Sequence, residues 1–371
     1  MLYPVMPIYL KSIGFSIVLI GVLEGAVEAL AGLSKGYFGK RSDHSGRRVP
    51  FVQLGYGLSA ISKPLMALFV FPVWIFLVRS IDRLGKGIRT GARDALLSDE
   101  ATKETKGKIF GFHRSMDTMG AVLGPALALL YLYYNPENYK TLFFLAFIPG
   151  LFALATSFLL KDKVVNKKID QGKISFFSFM GYWKQSPALY RKVIVGLLVF
   201  ALFNSSDVFL LLKIKEAGFS DTLVIGVYIF YNLIYALLAF PIGALADRIG
   251  LKFAFIGGLF FFAITYFGFS LKVNLYVYFI LFFFYGVYAA STEGIAKAWI
   301  SNISDKKDTA TAIGMYTGFQ SICTLVASSL TGFVWFSFGA KAAFILTAVM
   351  TIFVAIYFLT SSNVSVPVKD S

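Results

Sequence analysis

The chain has 371 residues, 57% of them apolar and 15% charged, with a formal net charge of +15 and a mean hydropathy of +0.71. Water is the wrong solvent for most of such a chain, which excludes a soluble globular domain. A single cysteine, Cys323, excludes internal disulfides and cysteine-based metal sites, and no His/Cys cluster is present.

Before the first full apolar run, Met1–Leu10 gives about ten residues ahead of the polar break Lys11-Ser12, too few to cross a bilayer. Runs near twenty residues then follow at 16–37, 51–70, 72–92, 109–133, 141–160, 192–213, 222–242, 253–271, 274–296, 309–335 and 342–360. Each is long enough to span about 30 Å of hydrocarbon as a helix. The short alternating segments of an outer-membrane barrel are absent. The predicted fold class is an all-α polytopic membrane protein. The helix matching Met1–Leu10 in the second half runs from about Val193 to Lys213, so symmetry predicts a dozen or more residues upstream of Met1. On that reading the first helix is truncated.

Charge location sets the topology. Loops 35–48, 93–108, 161–192, 248–252 and 297–307 hold 22 Lys/Arg, against six in the alternate set (Lys11, Lys140, Lys213, Lys215, Lys272 and Lys341). The positive-inside rule then places the first set, and both ends of the full-length form, in the cytoplasm, with the plasma (inner) membrane as the site. It also accounts for the basic charge without nucleic acid. The stretch Lys161–Lys192 carries eight Lys/Arg against two Asp, and Phe176–Trp183 reads as a short helix on the membrane surface. The predicted division is an N-terminal six-helix bundle at 1–160, a cytoplasmic linker at 161–191 and a C-terminal bundle at 192–371.

One pattern occurs twice. Gly39-Lys-Arg-Ser-Asp43-His-Ser-Gly46-Arg47-Arg48 and Gly243-Ala-Leu-Ala-Asp247-Arg248-Ile-Gly250 share the offset 204, as do Gly14-Phe15-Ser16 and Gly218-Phe219-Ser220. An even number of crossings separates the copies, which makes them parallel repeats and points towards alternating access.

With six-plus-six helices and this loop pattern between helices 2 and 3 and again between 8 and 9, the chain resembles the major facilitator superfamily. Gly120-Ala-Val-Leu-Gly124-Pro125 in helix 5 resembles the motif of its proton-coupled exporters, without the further glycines usual after the proline. Asp82-Arg83-Leu-Gly85-Lys86-Gly87-Ile-Arg89, Arg93-Asp94 and Gly111-Phe-His113-Arg114-Ser-Met-Asp117 resemble a poorly characterised prokaryotic subgroup. The resemblance implies a conformational latch. Asp43 would sit near a helix N-terminus of the other half, that of helix 11, where the dipole favours an anion. Arg47 and Arg48 would pair with carboxylates or lipid phosphates, and Gly39 would permit close helix approach. Asp247 and Arg248 form a degenerate copy with an expected weaker contact. The alternative is a set of ordinary topology-setting charges.

Helix 4 carries Arg79, Asp82, Arg83, Lys86, Arg89 and Arg93 within or at the end of an apolar span. Each ionisable group at the bilayer centre costs at least ~2.5 kcal/mol unless paired or hydrated, so the stripe cannot face lipid. The offset of 204 carries Arg89 to Glu293 and Arg93 to Lys297. Arg89 and Glu293 either meet at a cytoplasmic gate or pair within their own halves, Arg89 with Asp117 or Glu28. Glu24, Glu28, Asp117, Asp207 and Glu293 are the candidate carboxylates for proton or substrate coupling, with Asp207 the freest to titrate. Lys63 is expected to snorkel outward, with neutralisation of a cavity carboxylate as the alternative. His113 and Arg114 read as gate residues, and His113 as a hydrogen-bonding residue rather than a metal ligand. With no Walker sequence and no nucleophile–base pair in context, neither ATP drive nor catalysis is expected, and no cofactor.

The sequence thus points to a monomeric secondary transporter of a small organic solute, with proton-coupled efflux as the leading mode. Transport of an anionic metabolite or siderophore-like compound is the first alternative. A non-transporting membrane sensor on the same scaffold is the second. The partners implied are a small molecule, protons and lipid.

Overall fold

The computed structural model describes residues 5–162, 175–271 and 273–361. Among them there is no strand, and the helices run α1 (Val5–Ser12), α2 (Ile17–Ser45), α3 (Val49–Met66), α4 (Pro72–Glu100), α5 (Lys106–Tyr134) and α6 (Tyr139–Ser157). A 3-10 turn (Ser178–Gly181) and α7 (Tyr182–Gln185) follow in the linker. The second half holds α8 (Ala188–Ala201), α9 (Val208–Glu216), α10 (Asp221–Ile249), α11 (Leu251–Phe269), α12 (Leu275–Ile303) and α13 (Thr309–Thr360). Gly339, at φ 84°, leaves the helical region and divides α13 into the two spans expected near 309–335 and 342–360. The span 192–213 is instead broken in its middle, between α8 and α9.

The repeat is visible in the backbone. Gly14 and Gly218 have φ 91° and 89°, and Gly46 and Gly250 have φ 64° and 96°. A positive φ costs glycine little and ends a helix cleanly, so the same two stops recur at the same offset.

The chain forms two compact units whose limits cut across the boundaries drawn from sequence. Unit 1 comprises residues 1–99, 120–185 and 305–321, and unit 2 comprises 100–119, 186–304 and 322–371. Two helices therefore change unit along their length. The first turns of α5 belong to unit 2, and the first turns of α13 belong to unit 1. In unit 1 the apolar core joins Met6, Tyr9, Leu10, Ile75, Val78, Leu142 and Phe143, with Tyr9 edge-on to Phe143 at 4.9 Å. In unit 2 the core is aromatic: Trp299 packs on Phe255 and Phe358 at 6.0 and 5.3 Å.

Among the described residues, six helices are long and apolar enough to cross a membrane by length and composition alone. The outer faces are oily, with Leu159 79% and Phe336 92% exposed, as hydrocarbon-facing side chains must be. Pairs of small residues bring helix backbones together. A Cβ on Gly111 would meet the Ala239 carbonyl at 2.5 Å, and one on Gly314 the Lys35 carbonyl at 2.5 Å, whereas one on Gly120 meets nothing within 4 Å. Overpacking of this kind costs about 1–3 kcal/mol, while glycine to alanine in an open helical position gains up to ~1 kcal/mol. Gly111→Ala is therefore expected to lower the thermal unfolding temperature in detergent and Gly120→Ala to leave it equal or higher; the reverse order would contradict this packing.

Candidate functional site

Asp43 lies on the last turn of α2, beyond the end of the apolar run 16–37. Its Oδ2 accepts the backbone N–H of Thr311 at 2.6 Å and the Thr311 hydroxyl at 2.8 Å, in the first turn of α13. A carboxylate here satisfies an orphan donor and meets the positive end of the helix dipole. Gly39 permits the contact, because any side chain there would strike the Ala310 carbonyl. Burial pushes the Asp43 carboxyl up to about 6, against Arg48 and the Thr311 donors, which pull it down.

Arg48 is the hub of the same cluster, and Arg47 points to solvent. The Arg48 guanidinium reaches Asp99 at 3.0 Å and Asp43 at 3.5 Å, and donates to the Lys306 carbonyl at 3.1 Å. Its backbone N–H and that of Val49 donate to Asp162 at 2.7 and 3.0 Å. Asp162, from the start of the linker, thereby caps α3, whose own first residues supply no side-chain cap. The linker is pinned to α2 as well. Phe179 fills the space over Gly36, and Lys40 donates to the Ser178 carbonyl at 2.7 Å. Phe177 and Met180 remain exposed on the other side.

The second copy does the same work in unit 2. Asp247 accepts the N–H groups of Gly107 and Lys108, one on each oxygen, both at 2.7 Å, in the first turn of α5. It has two backbone donors, whereas Asp43 has the Thr311 N–H and hydroxyl with the Ala310 N–H and Arg48 besides. What it lacks is the guanidinium. Lys252 stands at the offset of Arg48 and donates instead to the Ser361 carbonyl at 3.1 Å, and Arg248 is exposed.

The charges of α4 are distributed over neighbours inside unit 1. Asp82 pairs with Lys63 at 2.7 Å, so Lys63 turns inward, not outward to a membrane surface as its position near the end of α3 suggested. Arg83 pairs with Glu28 at 3.3 Å. Arg89 donates to Ser59 Oγ at 2.8 Å and stacks over Tyr56 at 4.6 Å. Arg93 holds the fully buried Asp94 at 3.0 Å, and Arg79 is buried. Lys35, Arg79, Arg83 and Lys86 all act electrostatically on Glu28. The side chain of Glu24 lies outside the described residues.

In unit 2, Arg114 gathers Asp117 at 3.1 Å, Glu293 at 3.4 Å and the hydroxyl of Tyr235, beneath whose ring it stacks. Arg89 and Glu293 are thus each held within their own unit, though by partners other than those considered from sequence. His113 is partly buried beside Arg114. Asp207 accepts the Tyr285 hydroxyl at 2.6 Å and that of Tyr231 at 2.9 Å, and is half-buried. In the helix 5 motif Gly120 is open, Gly124 and Pro125 are partly buried, and the close approach falls instead to Gly107 and Gly111. The spacing Gly107-x-x-x-Gly111 is a small-residue signal that marks this contact in sequence, as Gly314-x-x-x-Gly318 marks the one on α2. No signal marks Asp99, Asp162 or Thr311.

Two helical units, each with a carboxylate bonded to a helix N-terminus, are the features to set against known membrane transporters. The model of the Major Facilitator Superfamily matches residues 1–231 and 214–370, and the chain belongs to that family. An uncharacterised MFS-type transporter of Methanocaldococcus jannaschii is 31% identical over 341 residues, 90% of this chain and 84% of the relative. Among solved structures the fold is similar to FucP in the outward conformation (TM-score 0.78, 11% identity, 95% of this chain and 92% of that one). It is also similar to the human organic anion transporter MFSD10 (TM-score 0.75, 15% identity, 94% and 87%). The chain is therefore an integral membrane protein of a secondary-transporter family, not an enzyme.

The Asp43 carboxyl generates a pH dependence. Its folded value, near 6, lies above the ordinary 3.8, so between these values the folded state binds the proton more tightly than the unfolded state does. Stability through this group is present below about pH 4 and is lost as pH rises through about 6. Asp43→Asn keeps an acceptor for Thr311 and removes the titration. Unfolding temperatures recorded across this window are expected to fall with pH in the wild type more steeply than in Asp43→Asn; equal slopes would reject the assignment.

Proposed function

We propose that the protein carries a small organic anion by alternating access, acting as a monomer in the plasma membrane with its latches on the cytoplasmic side. One observation supports the substrate class. The apolar spans 16–37, 51–70 and 72–92 contain six basic side chains (Lys35, Lys63, Arg79, Arg83, Lys86 and Arg89) against three acids (Glu24, Glu28 and Asp82). Lys63 and Arg83 pair with Asp82 and Glu28, and by formal charge these three spans carry three more bases than acids. Positive charge at membrane depth is costly, and an anionic ligand offsets that cost while it is bound. The human organic anion transporter named above shares the fold, and at 15% identity that likeness is one of fold alone.

Charge also decides the driving force. Each negative charge leaving a cell gains about 2.3 kcal/mol per 100 mV of inside-negative potential. Export of an anion needs no coupling ion, and uptake needs a co-transported cation. The exporter-like motif at Gly120, Gly124 and Pro125 favours the outward direction. Proton-coupled efflux is the second reading, favoured by Asp207, whose hydrogen-bond partners are both neutral phenols.

Proteoliposomes loaded with a panel of carboxylates and phosphate esters, and with neutral and cationic analogues, test this reading under an imposed potential or an imposed pH gradient. Anions alone are expected to move. Lys86→Gln is expected to raise KM roughly tenfold or more, since a hydrogen bond to a charged group contributes about 1.5–3 kcal/mol. Equal transport of the neutral analogues, insensitive to Lys86→Gln, would reject an anionic substrate.

A further inference from the structure

Midway along the span 192–213 the helix stops at Ala201 and resumes at Val208. Water cannot satisfy an unwound backbone at this depth, so such a break is stable only where protein groups or a bound species take over the freed groups. Here the carbonyls of Leu202, Phe203, Asn204 and Ser205 accept no backbone N–H among the described residues. The break holds Asn204-Ser205-Ser206-Asp207, and the Asp207 carboxylate stands at the start of α9.

Oxygen atoms converge on this carboxylate. Tyr231 and Tyr285 donate to it, and Tyr266 Oη lies in its electrostatic reach beside Ser205 and Tyr285. Tyr266 is 0% and Ser205 3% exposed, and their hydroxyls lie against each other and against Tyr285 without the geometry of full hydrogen bonds. Buried hydroxyls so weakly bonded are costly to keep. Both retain lone pairs for a ligand that donates no hydrogen bond.

We propose that the break between α8 and α9 is a binding site for a monovalent alkali cation, held by Asp207, Ser205 Oγ, Tyr266 Oη and freed carbonyls of residues 202–205. The donor set is all oxygen, as hard cations require, and the described residues contain no cluster of three His, Cys, Asp or Glu for a transition metal. Charge selects valence. One cation of charge +1 neutralises one carboxylate at membrane depth, and a divalent ion leaves an uncompensated charge. Discontinuous membrane helices supply cation sites in this way, through unwound carbonyls. Asp207 is not fully enclosed, which leaves the carboxylate open on one side. Facing Asp207 are the phenols Tyr231, Tyr266, Tyr285 and Tyr288 and the carboxylate Glu293, itself paired with Arg114. The only positive side chain in this set thus belongs to Glu293.

The full chain in detergent, followed by intrinsic fluorescence and thermal unfolding, tests this without any transported substrate, so its outcome is separate from that of the anion reading. Na⁺, K⁺ and Li⁺ are titrated against choline at one ionic strength, at about pH 8 and again at about pH 5, where a roughly thousandfold higher proton concentration competes for the carboxylate. A saturable response to Na⁺ or K⁺ at the higher pH, weakened at the lower pH by proton competition and abolished in Asp207→Asn, is expected. Ser205→Ala and Tyr266→Phe should weaken binding at least tenfold while unfolding at the wild-type temperature in choline. Either ion supports the site, and their relative affinity says which it prefers. A response to pH with none to any alkali cation assigns Asp207 to protons alone and overturns the proposal. An alkali response unchanged in Asp207→Asn overturns it equally.

Discussion

A carboxylate at a helix start holds each half of this protein in register. An isolated helix N-terminus presents several unbonded N–H groups and a partial positive charge, which is expensive to bury at the edge of a bilayer. Asp43 covers one such end at Thr311, and Asp247 covers the other at Gly107 and Lys108. In both cases the approach depends on a missing side chain, at Gly39 and at Gly243. The geometry also explains why the compact units exchange the first turns of α5 and α13. Each of these turns is bonded to the latch that caps it.

The two copies have diverged in what surrounds the carboxylate. Around Asp43, Arg48 connects the ends of α2 and α4, the entry to α13 and the linker through four separate contacts. Around Asp247 no guanidinium pairs with the acid among the described residues, and Lys252 donates to the Ser361 carbonyl just beyond α13. One latch is a network, with an acid whose charge is buried, and the other is a plain cap with half-exposed oxygens. Duplication preserved the helix-end chemistry, which is local, and released the ion pairs, which are not.

Local features were legible in the sequence. Apolar length marked the spans, and the 204-residue offset marked both carboxylates and the four glycines of positive φ. Partner choice was not, because it depends on which helices face each other. Nothing in the order of residues says that Lys63 turns to Asp82, that Asp162 caps α3 or that Arg114 collects Glu293. The boundary drawn at 160/192 follows the repeat, whereas compactness follows the contacts of α5 and α13. The break after Ala201 was hidden for a related reason. An apolar run with a polar interruption reads as a continuous span when only its length and composition are weighed.

The glycine contacts carry a geometric consequence. Where Gly39 lies on Ala310 and Gly243 on Gly107, main chain touches main chain. Backbone thickness alone then sets the helix spacing at these two points, and no residue larger than glycine can stand there. Farther along the same helix pairs side chains come between, where Lys35 reaches Ser321 and Ser115 reaches the Ala236 carbonyl, so each seam is tightest at its acid and widens away from it.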